Sequence, residues 1–185
     1  NRTVPIKFRI EQELFEPPAG RIEAWLSEGA PQELQDVPDY DDFIAVAAGS
    51  QHAVGLRADG SLVSWGRDSN GSVLDTPTGT GFVAVDAGFL YSMALHEDGS
   101  VHAWGGGLAD STEIPNGSGF SDIAAGYAFA LAITTSGALQ GWSMVSGMLD
   151  DMPAGTGFVD IKGGQHLAAA ILAGGQLELF GNSTN

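Results

Sequence analysis

The sequence predicts an all-β fold, a β-propeller of about five blades, and three recurring markers carry that prediction. Stretches matching "GSLVSWG" from Gly60 return as "GSVHAWG" from Gly99, "GALQGWS" from Gly137, "GQLELFG" from Gly175 and, more weakly, "GRIEAWL" from Gly20. Their aromatic residue falls on Trp25, Trp65, Trp104, Trp142 and Phe180, in steps of 40, 39, 38 and 38. A second marker, "FIAVAAG", "FVAVDAG", "FSDIAAG" and "FVDIKGG", starts at Phe43, Phe82, Phe120 and Phe158, and a third is the proline at Pro38, Pro77, Pro115 and Pro153. Self-similarity at a fixed period of this size is the signature of a repeat architecture.

Each unit reads as strand, hairpin and link. Within "GSLVSWG", Leu62 and Ser64 face one way and Val63 and Trp65 the other, the period of two that marks a strand. Asp59-Gly60 and Asp98-Gly99 are two-residue hairpin signals of the type I′ kind, with Ser136-Gly137 and Gly174-Gly175 as substitutes. Gly49, Gly88, Gly126 and Gly164 recur at one phase, as expected where a strand end passes close to its neighbours near a crowded axis. No stretch carries a convincing helical period, so the repeat is a propeller blade rather than a helical solenoid unit.

Residues 43–66, "FIAVAAGSQHAVGLRADGSLVSWG", and 82–105, "FVAVDAGFLYSMALHEDGSVHAWG", closely resemble the repeats of the regulator-of-chromosome-condensation superfamily. Those repeats read as a V-A-A-G-x-x-H strand, an A-L-x-x-D-G turn and a final W-G. The resemblance covers residues 37–181, and the short period is more like the compact bacterial members, which include secreted inhibitors of β-lactamases. His52 matches the family's histidine, and its equivalents are Tyr91, Phe129 and Leu167. Replacement by apolar groups at the same phase makes His52 a structural filler and argues against a catalytic role.

The whole chain, 1–185, is expected to form a single propeller domain, with units at 37–75, 76–113, 114–151 and 152–181 after a divergent first unit and closing strand at 1–36. Aligning Val4-Pro5 with Val37-Pro38 makes "TVPIKFRI", residues 3–10, the link-and-strand element due after Phe180. Pairing of that segment with the last blade closes a five-unit ring without an open sheet edge. The alternative is an arc completed by a neighbouring subunit or by further residues.

The composition allows a sizeable core, because 185 residues bury about 70 per cent of their unfolded surface. With no cysteine the chain has neither disulfides nor thiol chemistry, and its apolar runs are too short for a transmembrane helix, which disfavours membrane insertion. The net charge of -16 reflects 23 acids against 7 bases. Only Lys7 and Lys162 are lysines, so a phosphate-tracking surface is not expected and nucleic acid is disfavoured. Arg2, Lys7 and Arg9 make the first nine residues electrically unlike the rest, as a cationic strand on an acidic body or as an unremarkable cluster.

No constellation points to catalysis, a metal or a cofactor. Asp36, Asp39, Asp41 and Asp42, and again Asp150 and Asp151, lack calcium-loop spacing and read as solvated acidic loops. His96 and His102 flank the Asp98-Gly99 turn, either as a metal pair or as two exposed turn residues. No nucleophile elbow or phosphate loop is present, and the chain is read as a non-enzyme. Asn1, Asn70, Asn116 and Asn182 open N-x-S/T sequons; Asn70, Asn116 and Asn182 are the candidate glycosylation sites, although asparagine is also simply common in turns.

What distinguishes the protein then lies in its loops. Tyr40, Phe89, Tyr91 and Tyr127 are the candidate partner-binding residues, the last three sitting just after the recurrent glycine; the alternative is that some of them cap the core. The expected function is a non-enzymatic interaction or scaffold propeller that meets a protein partner through its loop faces. An extracellular or virion surface assembly is the favoured setting, and a homo-oligomer is compatible with it. The alternatives are a secreted inhibitor that plugs an enzyme cleft and, less so, a lectin-like module.

Overall fold

The computed structural model describes residues 40–107 and 117–181. The divergent first unit, the segment at residues 3–10, and Asn116 and Asn182 lie outside the described residues. The described residues form twelve strands in four antiparallel sheets of three, each sheet ordered as in the sequence. Blade 1 holds β1 (Phe43–Ala48), β2 (His52–Arg57) and β3 (Leu62–Gly66). Blade 2 holds β4 (Phe82–Ala87), β5 (Tyr91–His96) and β6 (Val101–Gly105). Blade 3 holds β7 (Phe120–Ala125), β8 (Phe129–Thr134) and β9 (Leu139–Ser143), and blade 4 holds β10 (Phe158–Gly163), β11 (Ala168–Leu172) and β12 (Leu177–Phe180).

The hairpin turns differ from the two-residue type expected from Asp-Gly. Gly60, Gly99, Gly137 and Gly175 all have φ near +80°, but among the described residues Asn70 is the only non-glycine with positive φ, so Asp59 and Asp98 do not adopt it. The loop is instead three residues long: Arg57 faces Ser61, Gly60 N–H donates to the Arg57 carbonyl, and only the glycine is left-handed. The aspartate has a separate task, since the Asp59 and Asp98 carboxylates accept the N–H groups of Ser61 and Ser100.

The first strand of every blade carries a register shift, between Phe43 and Ala45, Phe82 and Ala84, Phe120 and Asp122, and Phe158 and Asp160. One extra residue in a strand leaves that residue unpaired and turns it away from the ladder. Ile44, Val83 and Val159 occupy this bulge and stand exposed, whereas the phenylalanine before each of the last two is buried.

Burial lies between neighbouring blades. Val54, Leu56 and Leu62 of blade 1 pack with Phe82, Ala94 and Trp104 of blade 2. Met93, Leu95 and Val101 of blade 2 pack with Phe120, Ile123 and Trp142 of blade 3, and Leu131 and Ile133 of blade 3 with Phe158, Ile161 and Phe180 of blade 4. Trp104, Trp142 and Phe180 thus each seal their blade onto the one before it. Backbone bonds add to the seam: Phe82, Phe120 and Phe158 N–H donate to the carbonyls of Gly60, Gly99 and Gly137 in the preceding blade, at 3.0–3.1 Å.

Candidate functional site

The ends of β1, β4, β7 and β10 converge on a funnel of about 370 Å³. Every blade lends it the same three positions, Ala48-Gly49-Ser50, Ala87-Gly88-Phe89, Ala125-Gly126-Tyr127 and Gly163-Gly164-Gln165. The glycines allow the convergence. A Cβ on Gly49 would stand 2.6 Å from the Gly88 carbonyl of the next blade, and one on Gly88 would stand 2.5 Å from that of Gly126.

Three residues after Gly49, Gly88 and Gly126 comes a ring that locks the blades. A Cβ on Gly49, Gly88 or Gly126 would collide with the ring of His52, Tyr91 or Phe129 of its own blade, so each ring packs directly against its glycine. His52 Nε2 lies 2.9 Å from Ser92 Oγ in blade 2, and burial holds its pKa below the usual histidine value, so the ring is neutral at neutral pH. The Tyr91 hydroxyl donates to the carbonyls of Gly126 and Phe129 in blade 3. His52 is therefore one of a series of blade clasps. Leu167, at the same phase, is 49% exposed and clasps nothing among the described residues.

The sequence-predicted contact residues part company here. Tyr91 is 1% exposed and its hydroxyl is committed to the neighbouring blade, so it is a clasp and does not reach the surface. Phe89 and Tyr127 sit one residue past the glycine and face out at 38% and 40% exposure. Their rings, from adjacent blades, stack at 4.3 Å with 27° between planes, and His166 of blade 4 continues the row 6.4 Å from Tyr127. Tyr40 is elsewhere: it packs edge-on against Phe43 and carries the Arg57 guanidinium over its ring at 4.4 Å. Arg57 in turn grips Asp42 at 2.9 Å, so Asp42 is a paired anchor rather than a solvated loop acid.

Beneath the rim, the strand side that bears the glycine carries Asp86, Asp122, Asp160 and Lys162, at two and four residues before it. Asp86 accepts the N–H groups of Ala87 and, across the blade seam, Ala125, at 2.9 and 2.7 Å. Burial pushes the Asp86 and Asp122 carboxyls above the usual aspartate value. Lys162 bonds Asp160 at 2.8 Å, which raises the lysine. Sequence reasoning missed these residues because "FVAVDAG" was read as a strand marker; counting back in twos from the glycine would have put them on one side.

The remaining candidates are accounted for locally. His96 and His102 both meet the Phe82 ring edge-on, at 5.4 and 5.3 Å, and His96 also pairs with Asp98 at 3.1 Å. No group of three or more metal-ligating side chains is found among the described residues. Asn70 is exposed with φ of 55°, while Ser72, the third residue of its sequon, is buried with its hydroxyl bonded to Arg67 O and Ser69 N. No described helix is long and apolar enough to cross a membrane.

Residues 43–72 match the family described as regulator of chromosome condensation (RCC1) repeat. Prp20p from Saccharomyces cerevisiae, described with its binding properties to Gsp1p and histones, has a similar fold, at TM-score 0.61 and 16% identity over 78% of this chain and 47% of its own. Residues 43–72 thus match an RCC1 repeat, and the chain shares its fold with RCC1-like β-propellers. The fold is also similar to that of the ectodomain of the Physcomitrella patens receptor kinase CR4, at TM-score 0.65 and 21% identity over 75% of this chain and 39% of that one. The Arabidopsis thaliana receptor kinase ACR4 ectodomain gives TM-score 0.64 and 22% identity over 77% and 52%. The chain thus spans about half or less of the length of each of these three solved chains. A search among curated proteins found no match.

Proposed function

We propose that this RCC1-like propeller is a non-catalytic binding module that meets a partner protein through the funnel face. The observation that supports it best is the stacked pair of Phe89 and Tyr127, both more than a third exposed, at the rim of a concavity whose walls are four equivalent backbone turns. Rigid aromatic rings on a preformed concave surface supply large contact area at low entropic cost, which is where interface energy concentrates. The titratable groups near the funnel are engaged with backbone or with one another, an arrangement suited to holding a shape rather than to proton transfer. Prp20p and the receptor ectodomains support a protein-binding use of the fold by analogy alone.

The test is site-specific photocrosslinking. A photoreactive phenylalanine analogue at position 89 or 127 is expected to capture a defined protein band from the native source. The same analogue at Val83, on the strand end far from the funnel, is expected to capture none. Capture at Val83 with silence at both rim positions overturns the reading.

A further inference from the structure

We propose that blades 1 and 4 form a contact between copies of this chain, in which the outer face of blade 4 in one copy seats the open face of blade 1 in another. Within the chain the same contact is made three times. One face of a blade, carried by its second and third strands, receives the Phe- and Trp-bearing face of the next. Among the described residues, blade 4 presents the receiving face with no blade upon it, and blade 1 presents the inserting face with no blade before it. Each copy thus carries both halves of a joint that its own repeats already use.

Burial identifies the two faces position by position. On blade 4, Ile171 pairs with Leu177 and Ala169 with Leu179, which puts these four side chains on one side of the sheet. Ile171 holds the place of Leu56, Leu95 and Ile133, which are at most 4% exposed; Ile171 is 36% exposed, and Leu177 and Leu179 are 60% and 59%. On blade 1, Val46 holds the place of Ile123 and Ile161, which are 5% and 1% exposed against the blade before them, yet Val46 is 56% exposed. The rest of the inserting face is already formed. Phe43 and Trp65 lie 5.8 Å apart, as Phe120 and Trp142 do at 6.0 Å where blade 3 closes on blade 2.

A second copy is the occupant that these faces select. Terminal repeats that face water carry a polar outer side, whereas both of these are apolar, and contiguous exposed apolar patches mark contact sites. The face that blade 4 lacks is one with a β-branched residue, a Phe and a Trp in the register of Ile123, Phe120 and Trp142, and blade 1 of another copy presents that set in Val46, Phe43 and Trp65. Such a joint is head-to-tail, so copies close into a ring or extend as a row according to the rotation between them. With -16 on each copy, charge opposes the contact and apolar burial drives it.

The experiment is sedimentation equilibrium of the full 185-residue chain. The chain is expected to reach the mass of two copies or more by about 100 µM, and to associate more tightly as added salt screens its charge. Leu177→Glu and Val46→Glu each put a carboxylate on one end face at an exposed position, and either variant alone is expected to associate at least about tenfold more weakly. Mixed, they are expected to form a heterodimer, because the first keeps its blade 1 face and the second its blade 4 face; that recovery also shows both variants to be folded. Leu74→Glu, at an exposed position between β3 and β4, adds the same charge and is expected to change nothing. A monomer at every concentration overturns the proposal, and so does association that Leu74→Glu weakens as much as the other two. Self-association of either end-face variant as tight as the parent's, or a mixture no tighter than its components, overturns the head-to-tail joint.

Discussion

The Tyr91 hydroxyl donates across a blade seam to the backbone carbonyls of Gly126, at 3.2 Å, and Phe129. Phe129 O also accepts Gly126 N–H at 2.8 Å, so the Gly126 carbonyl is the acceptor that depends on the tyrosine. Tyr91→Phe keeps the ring over Gly88 and reproduces what blade 3 already has at Phe129. It is expected to lower stability by about 1 kcal/mol, the net worth of one hydrogen bond, as measured by urea denaturation. No loss would show that the seam is held by apolar packing alone.

His52 is the clasp that responds to pH. Its folded-state pKa lies below the ordinary 6.5, so above that pH folded and unfolded chains are both neutral and stability is full. As pH falls below 6.5 the unfolded chain takes up the proton first and stability declines toward the folded pKa. His52→Tyr, the residue blade 2 uses, places a hydroxyl toward the equivalent carbonyls of Gly88 and Tyr91. Its urea midpoint is expected to change less between pH 7.5 and pH 5 than that of the parent chain.

Gly88 and Gly117 make an opposed pair. A Cβ on Gly88 meets the Tyr91 ring at 2.1 Å and the Gly126 carbonyl at 2.5 Å, and neither backbone nor clasp can yield. Gly88→Ala is therefore expected to cost about 3 kcal/mol or to prevent folding. Gly117 has no atom within 4 Å of its would-be Cβ and no positive φ, so Gly117→Ala is expected to be neutral or to stabilise by up to about 1 kcal/mol. Comparing the two melting temperatures checks both.

Asp98 and Asp86 are expected to titrate on opposite sides of the ordinary 3.8. Bonds from Ser100, with His96 behind them, hold Asp98 down at about 2, while burial raises Asp86. The Asp98 contribution to stability is present above 3.8 and lost as pH falls through about 2; the Asp86 contribution is present below 3.8 and lost as pH rises through its higher value. Carboxyl-carbon NMR titration of the two residues reads the order directly, and a reversed order would contradict this account of the two sites.

Much of the fold was legible because its signals are local. Alternation in "FVAVDAG", the turn glycine and the terminal Trp each report a few neighbouring residues, and their repetition located every described strand. The turn type was not legible: Asp-Gly is compatible with a two-residue loop, and only the pairing of Arg57 with Ser61 shows the third residue. The exposure of the candidate contact residues was half legible. Phe89 and Tyr91 are two positions apart, which in an ideal strand means one face, yet the chain turns between them after Gly88 and sends one outward and one inward.

The amino-acid sequence by itself determined the repeat and the place of the glycines, because period, turn chemistry and the lack of a side chain are properties of short stretches. The tertiary structure decided what each recurrent position does. Tyr91 became a clasp because the carbonyls of another blade, 35 and 38 residues on, lie within reach of its hydroxyl. Phe89 and Tyr127 became one surface because adjacent blades bring their rings face to face, and burial raised the Asp86 pKa against the opposing pull of the Ala125 N–H bond from the next blade. Each of these depends on groups distant in the chain, which only the packing of one blade on the next brings together.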